Sequence, residues 1–194
     1  AVAISCTIGS LLGLISGYAG GKVDNVIMRA VDVMFSFPDI LIALSVVALL
    51  GPSLRNAVVA VGISAIPWYA RVVRGTVMVE HKKQYFEAAE SLGAGHSRLV
   101  GRHILPNALP PILVLATLGF STAILSAAAL SFLGLGAQPP EPEWGLELAL
   151  GRDLMRQAWW IMTFPGLAIA ITVLGFNLLG DGLREALDPR QRRS

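Results

Sequence analysis

Residues 107–135 read NALPPILVLATLGFSTAILSAAALSFLGL, an apolar run without a charged side chain. A helix needs about 20 largely apolar residues to cross a hydrocarbon core of roughly 30 Å, so this run predicts a membrane-spanning helix. The whole chain has the same character, since 54% of its 194 residues are hydrophobic and 14% are charged. Soluble domains carry about 25% charged residues. The sequence therefore predicts an all-α polytopic membrane protein that forms one domain over residues 1–194.

Four further apolar runs predict four more spans, which makes five in all. They cover residues 1–19, 33–50, 57–73 and 165–180. The third run contains Pro67 and ends at Arg71 and Arg74, whose long side chains we expect to reach the lipid headgroups. Residues 136–164 are rich in proline and tryptophan, which favours a loop that lies on the membrane surface.

Basic residues predict the orientation, because lysine and arginine accumulate in cytoplasmic loops. Arg55, Arg152 and Arg156 lie on one side of the five-span arrangement. The other side carries Lys22, Arg29, Arg71, Arg74, Lys82, Lys83, Arg98, Arg102, Arg184, Arg190, Arg192 and Arg193. We therefore expect residues 80–106 and the C-terminus in the cytoplasm, and residues 136–164 outside. The chain opens directly in an apolar run, so we expect a further native span before it.

Polar and small residues inside the spans mark candidate contacts. Glycines recur at intervals of four in the first span, at Gly9, Gly13, Gly17 and Gly21. This spacing predicts a smooth face that another helix approaches closely, either within this chain or from a second one. Asp39 lies beside a proline in the second span, where we expect it to cap a helix or to line a water-filled path.

The sequence offers no pattern for catalysis or metal binding. His81, His96 and His103 lack the spacing of a helical metal site, and no cysteine lies near them. Gly21-Lys22 is not the end of a phosphate-binding loop, because Val23 stands where Ser or Thr is needed. We therefore expect no catalytic residue, no metal and no cofactor in this chain.

Residues 80–106 form a polar segment between two apolar runs. Apolar residues recur in its first half at spacings of three and four, which predicts a short amphipathic helix with its acidic residues on the exposed arc. The recurring residues are Tyr85, Ala88, Ala89 and Leu92. Gly93 is expected to end this helix in the left-handed conformation, and a second short helix is expected to follow. The small alanines favour a surface that another protein approaches, and an ordinary solvated loop is the alternative.

The same segment resembles the EAA signature of permease subunits from ATP-binding cassette importers. The matching residues are Glu87, Ala88, Ala89, Gly93, Leu105 and Pro106. In that family the segment forms a cytoplasmic coupling helix that docks in a groove of the ATPase subunit. The resemblance implies an ATPase-coupling role for these six residues. His103 stands where the broad family often has Ile, which narrows the resemblance to the peptide-importing branch.

Other stretches resemble the C-type subunit of dipeptide and oligopeptide permeases. They are Gly17-Tyr-Ala-Gly-Gly21, Gly136-Ala-Gln-Pro-Pro140, Gly180-Asp-Gly-Leu-Arg184 and Leu187-Asp-Pro189. The resemblance implies an ATP-driven peptide importer in the bacterial inner membrane, surrounded by lipid. Its implied partners are a second homologous permease chain, two ATPase subunits that bind ATP and Mg, and an external peptide-binding protein. Residues 136–164 are a candidate docking surface for that binding protein, and no nucleic-acid partner is implied.

Three alternatives stay open at this point. Relatives of similar sequence handle glutathione or nickel chelates, so neither the solute nor the residues that line its path follow from the sequence. A secondary transporter driven by an ion gradient would show discontinuous helices with ionisable residues near mid-membrane, whereas the acidic residues here fall at predicted helix ends. A membrane scaffold would need only the polar segment as a docking site.

Overall fold

The computed structural model describes residues 1–187, and the described part of the chain folds into α-helices without a strand. The helices are α1 (Val2–Ala19), α2 (Gly21–Phe35), α3 (Asp39–Leu50), α4 (Leu54–Ser64), α5 (Ile66–His81), α6 (Gln84–Ser91), α7 (His96–Leu99), α8 (Leu105–Phe132), α9 (Trp144–Gly151) and α10 (Trp160–Leu187). The all-α prediction is confirmed. Residues 188–194, which include Arg190, Arg192, Arg193 and most of the Leu187-Asp-Pro189 stretch, lie outside the described residues.

Four helical segments are long and apolar enough to cross a membrane. They are Val2–Ala19, Leu54–His81, His96–Phe132 and Trp160–Leu187. The second of these consists of α4 and α5, which meet at Ala65 just before Pro67. These segments correspond to the first, third, fourth and fifth predicted spans. Three of them extend well beyond the predicted bounds because a helix continues into polar sequence that hydropathy assigns to water.

The second predicted span, residues 33–50, is not one straight helix. α2 ends at Phe35, α3 begins at Asp39, and the two helices are bent by 90° at this break. Pro38 explains the break, because proline lacks an N–H and disfavours helical geometry in the residue before it. The pair makes a fifth crossing if both helices count as one broken span. The chain therefore does contain a discontinuous helix pair, with an acidic residue at the break.

The glycine face of α1 packs against α5 of the same chain. A Cβ added at Gly13 would touch the carbonyl oxygen of Ala70 and would lie 2.9 Å from the backbone nitrogen of Arg74. Cβ atoms added at Gly9 and Gly17 would lie 2.5 Å and 2.8 Å from side-chain atoms of α5. Only glycine permits this approach. The glycine spacing left open whether the approaching helix belongs to this chain or to a second one, and the structure shows a helix of this chain. Gly21 does not contribute to this contact.

α8 and α10 run antiparallel and hold α9 at one end of the bundle. Ser121 Oγ donates to the carbonyl oxygen of Val173 at 3.1 Å, and the rings of Phe120 and Phe176 stack with centroids 5.2 Å apart. α9, in the predicted loop 136–164, packs on the bundle through its glycines: a Cβ added at Gly145 would lie 2.6 Å from the Cα of an α8 alanine. The α6 end and the α9 end of the bundle are thus separated by the length of α8.

Candidate functional site

One buried aromatic side chain anchors α6 to the bundle. Phe86 is 1% exposed and belongs to a buried apolar cluster with residues of α5, α7 and α8. The other buried members are Val73, Val77, Leu99, Ile104, Ala108 and Ile112. Burial of a phenylalanine side chain contributes roughly 1.5–3 kcal/mol, which is enough to seat a helix of two turns.

The outward face of α6 is apolar. Tyr85 is 41% exposed and Leu92 is 88% exposed, with Ala88 exposed between them. We call Tyr85, Ala88 and Leu92 the α6 stripe. The sequence predicted an apolar face of Tyr85, Ala88, Ala89 and Leu92, with the acidic residues on a more exposed arc. Glu87 and Glu90 are indeed exposed, but Tyr85, Ala88 and Leu92 are exposed as well. Phe86 and Ala89 face the bundle instead, three residues apart on the opposite side.

Gly93 ends α6 with a turn that only glycine adopts at low cost. Its φ is +80°, in the left-handed region. The Gly93 N–H donates to the Glu90 carbonyl at 2.9 Å, and the Ala94 N–H donates to the Ala89 carbonyl at 3.1 Å. This pair of bonds is the Schellman motif, in which residues three before and two after the cap also make an apolar contact. Here Ala89 and Ala94 both pack against the buried cluster. The prediction that Gly93 terminates the helix is confirmed.

A buried carboxylate joins α5, α6 and α8. Glu80 is 6% exposed and accepts hydrogen bonds from Lys83 Nζ at 2.5 Å and from Tyr85 Oη. Asn107 Nδ2 donates to Tyr85 Oη at 3.4 Å and to the carbonyl oxygen of His103 at 2.6 Å. Burial and the hydrogen bond to the Glu80 carboxylate raise the pKa of Tyr85 to about 12. No pattern in the sequence predicts this network, which connects the start of α6 to the start of α8.

Aromatic rings tie the end of α1 to the same place. Tyr18 Oη and His96 Nδ1 lie within hydrogen-bond distance at 2.6 Å. The ring of His81 meets that of Tyr18 edge-on at 5.8 Å and lies 4.6 Å from that of Phe86. Four helices therefore converge beneath α6, so that α6 and the helical bundle are physically connected at several points.

The six residues predicted to couple to an ATPase occupy two places. Glu87, Ala88 and Ala89 lie on α6, Gly93 forms its terminal turn, and Leu105 and Pro106 begin α8. All are exposed except Ala89, which is half-buried. The expected second short helix is not separate, since α7 continues through a π-helical turn at Val100–Ile104 into α8. Pro110 and Pro111 consequently lie inside a helix.

Two ion pairs that the sequence did not predict hold α2 against α5. Arg74 donates from Nε and Nη2 to both carboxylate oxygens of Asp24 at 2.5 and 2.6 Å, and Ser16 donates to the same carboxylate. Arg71 pairs with Asp32 at 2.7 Å. The expectation that both arginines reach the headgroups is wrong for Arg74, because its side chain is only 29% exposed and is committed to this partner.

No site for a metal ion was found among the described residues, in which no three His, Cys, Asp or Glu side chains converge. The α6 end therefore offers an exposed apolar surface, and hydrogen bonds and aromatic contacts connect it to the neighbouring helices.

The comparisons with known proteins place the chain among transport proteins. The family described as "Binding-protein-dependent transport system inner membrane component" matches residues 9–193. The dipeptide transport system permease protein DppC of Alkalihalophilus pseudofirmus is 51% identical over 184 residues, which are 95% of this chain and 60% of that protein. The glutathione transport system permease protein GsiD of Pectobacterium atrosepticum is 50% identical over 189 residues, 97% of this chain and 63% of that protein.

The fold has a counterpart among solved structures. A chain of the MetNI methionine ABC transporter in an inward-facing conformation superposes with a TM-score of 0.74 at 22% identity, over 96% of this chain and 91% of that chain. The likeness at this identity concerns the fold. The present chain spans about three fifths of the length of the curated relatives it matches.

Proposed function

Since the chain belongs to the family of binding-protein-dependent transport system inner membrane components, we propose that it is the transmembrane subunit of an ATP-driven importer of dipeptides or oligopeptides in a bacterial inner membrane. The 51% identity to a dipeptide permease supports this substrate class. Glutathione, itself a tripeptide, is the second candidate, because a glutathione permease is 50% identical.

The observation that carries the coupling role is the outward-facing α6 stripe. α6 is anchored by Phe86, yet Ala88 and Leu92 are exposed, and the ring of Tyr85 is partly exposed although its hydroxyl group is bonded to Glu80. An exposed apolar patch on a well-anchored helix is typical of a protein–protein contact. In the proposed complex this stripe and Glu87 dock in a groove of the ATPase subunit.

The remaining predicted residues would shape and transmit the contact. Ala89 and Gly93 form the turn that fixes the length of α6, and Leu105 and Pro106 begin the helix that leads into the membrane. ATP binding draws two ATPase subunits together, and α6 moves with them. Because His96–Phe132 is one continuous helical segment, displacement of α6 would tilt α8. ATP and the docked binding protein must each bind the outward-facing state more tightly, since a ligand shifts an equilibrium only by its difference in affinity.

The proposed complex contains a second homologous permease chain, two ATPase subunits with ATP and Mg, and an external peptide-binding protein that docks on residues 136–164. ATP hydrolysis takes place on the ATPases, and this chain contributes no catalytic group. The charge distribution supports an α6 end and a C-terminus in the cytoplasm. The α6 end carries Lys82, Lys83, Arg98 and Arg102, whereas the α9 end carries Arg55, Arg152 and Arg156.

The function is tested with the complex purified from its native membrane and reconstituted in proteoliposomes. We expect uptake of labelled dialanine that requires ATP, Mg and the binding protein. Mass spectrometry of the ligand that co-purifies with the binding protein then separates a peptide from glutathione. Uptake driven by an ion gradient in the absence of ATP, or no uptake of any peptide or of glutathione, would contradict the proposal.

A further inference from the structure

A cavity of about 320 Å³ lies inside the bundle, between the start of α1, the start of α3, the α4–α5 junction and α8. Its volume falls at the lower end of the range of small-molecule sites, roughly 300–1,000 Å³. Ser64 and Tyr69 line it from the long segment Leu54–His81. At about 1.5 Å per residue they lie roughly 15 and 22 Å from the start of that segment, near its middle. Val2 and Ser5 border the cavity from the start of the apolar helix Val2–Ala19.

Among the residues that the structure describes, Asp39 supplies the only carboxylate or basic side chain in the lining of this cavity. It is the first residue of α3 and stands at the 90° break after α2. Within residues 1–187 it takes part in none of the ion pairs, which involve other carboxylates. Asp39 is exposed, and its carboxylate has no counter-charge among the described residues, so a cationic ligand in the cavity would supply one.

The hydroxyl groups around the cavity present hydrogen-bond acceptors. Ser5 Oγ donates to the Val2 carbonyl at 3.2 Å, and Ser64 Oγ donates to the Val61 carbonyl at 3.1 Å. Thr122 Oγ1 donates to a carbonyl of its own helix in the same way. Each of these three hydroxyl groups already donates its one hydrogen within the chain, so its oxygen lone pairs remain for a ligand.

Aromatic faces complete the lining. Trp68 and Tyr69 both border the cavity, and Trp68 is 52% exposed. Tryptophan offers the most favourable ring face for a cation, with about 0.5–2 kcal/mol gained depending on desolvation. A carboxylate, acceptor oxygens and an indole ring together match a group that carries positive charge and only donates hydrogen bonds. A primary ammonium, with three donors and no acceptor, is such a group.

We propose that this cavity binds the N-terminal ammonium group of the transported peptide, with Asp39 as its counter-ion. The inference rests on the proposed function and adds to it a substrate contact inside the permease, separate from recognition by the binding protein. The first side chain of the peptide contacts the apolar walls of the cavity. These walls do not select among side chains by hydrogen bonding.

The test measures binding to the purified complex in nanodiscs, without binding protein, by saturation-transfer NMR. The probes are alaninamide, which carries the ammonium group, and propionamide, which is the same molecule without it. We expect alaninamide to bind at least about tenfold more tightly than propionamide, equivalent to about 1.4 kcal/mol. Asp39→Asn should abolish this preference, and Asp39→Glu should retain part of it.

Asp181→Asn is the matched control, because Asp181 is an exposed carboxylate outside both the cavity and residues 136–164. It should leave the preference unchanged. Equal binding of the two probes by the native complex overturns the proposal even if Asp39→Asn fails to fold, and so does an unchanged preference in a folded Asp39→Asn complex. Dialanine uptake is measured in parallel, so that loss of the proposed function (no uptake) and loss of the ammonium site (no preference) are read separately.

Discussion

Small residues on α1 and small residues at the end of α6 have opposite surroundings. On α1 a Cβ added at Gly13 would meet the backbone of α5, so the space is already filled by the same chain. At the end of α6 a Cβ added at Gly93 would meet no atom within 4 Å, and Ala88 is exposed beside it. The α1–α5 contact is internal packing, whereas Ala88 and Gly93 lie on a part of the α6 surface that is open to another protein.

Small residues therefore indicate that another element approaches closely, but they do not identify that element. On α1 the approaching element is a helix of the same bundle, so substitution is expected to damage folding. On α6 we propose an ATPase subunit, so substitution is expected to damage coupling while folding is preserved. Each of the following variants tests this division.

Gly13→Leu should have the largest effect. The new side chain would push against the backbone of Ala70 and Arg74, which cannot move aside as a flexible side chain can. Overpacking costs typically 1–3 kcal/mol and more against backbone, so we expect little folded protein. The measurement is the monodisperse fraction in size-exclusion chromatography after detergent extraction. Gly175→Leu is the control, since a Cβ there meets nothing within 4 Å. Equal yields of the two variants would refute internal packing.

Ala88→Trp should preserve folding and abolish coupling. The side chain points away from the bundle, so the thermal unfolding midpoint should stay at the native value. In the reconstituted complex, we expect ATP-driven dialanine uptake to fall by more than about tenfold, because a bulky ring on the α6 stripe costs over about 1.4 kcal/mol in the ATPase groove. Ala170→Trp, at an exposed position of α10, should transport normally. Native uptake by Ala88→Trp would rule out α6 as the coupling surface.

Gly93→Ala should loosen the end of α6. A Cβ at a φ of +80° costs about 1–2 kcal/mol, and the space around it is open, so the effect is purely conformational. Hydrogen exchange of the Gly93 and Ala94 amides, which close the terminal turn, should become about tenfold faster. Gly95→Ala is the control, because φ at Gly95 is −67°. Equal exchange in both variants would show that the left-handed turn is not what ends the helix.

Tyr85→Phe should have the smallest effect. It removes the hydrogen bond to Glu80 and the acceptor for Asn107, at a cost of about 1–2 kcal/mol. In the native protein the pKa of Tyr85 is raised to about 12, above its usual value of about 10. The native advantage over the variant is therefore complete below about pH 10 and is lost as pH rises toward 12. Thermal midpoints of both proteins at pH 8 and pH 11.5 measure it. The same difference at both pH values would contradict the raised pKa of the Tyr85 hydroxyl group in the folded protein.

Local chemistry explains what the sequence predicted correctly. The apolar runs located α1, α8 and α10, because hydropathy reports burial in lipid directly. Gly93 was assigned to a helix end, because a left-handed turn depends on one residue and its immediate neighbours. Hydropathy averages over the break at Pro38, however, and therefore joined α2 and α3 into one span. It also placed the start of α8 too late, since it registers contact with lipid and not helical continuity.

Contacts between distant segments explain what was missed. Arg71 and Asp32 are 39 residues apart, and Arg74 and Asp24 are 50 residues apart. No periodicity within a segment indicates which other segment lies beside it. The direction of the α6 stripe was missed for a related reason. Spacing identified residues that share a face, but whether that face or the face of Phe86 meets the bundle depends on the position of α5 and α8.

The prolines of α8 have a consequence for bending stiffness. Pro106, Pro110 and Pro111 each remove one backbone hydrogen bond from the helix, directly after the π-helical turn at Val100–Ile104. Over roughly 9 Å, at about 1.5 Å per residue, the helix that leads from α6 into the membrane therefore lacks three backbone hydrogen bonds. A helix bends most easily where its backbone hydrogen bonds are missing. A force applied to α6 therefore bends this short section first, and the part of α8 beyond Pro111 moves as one rigid body.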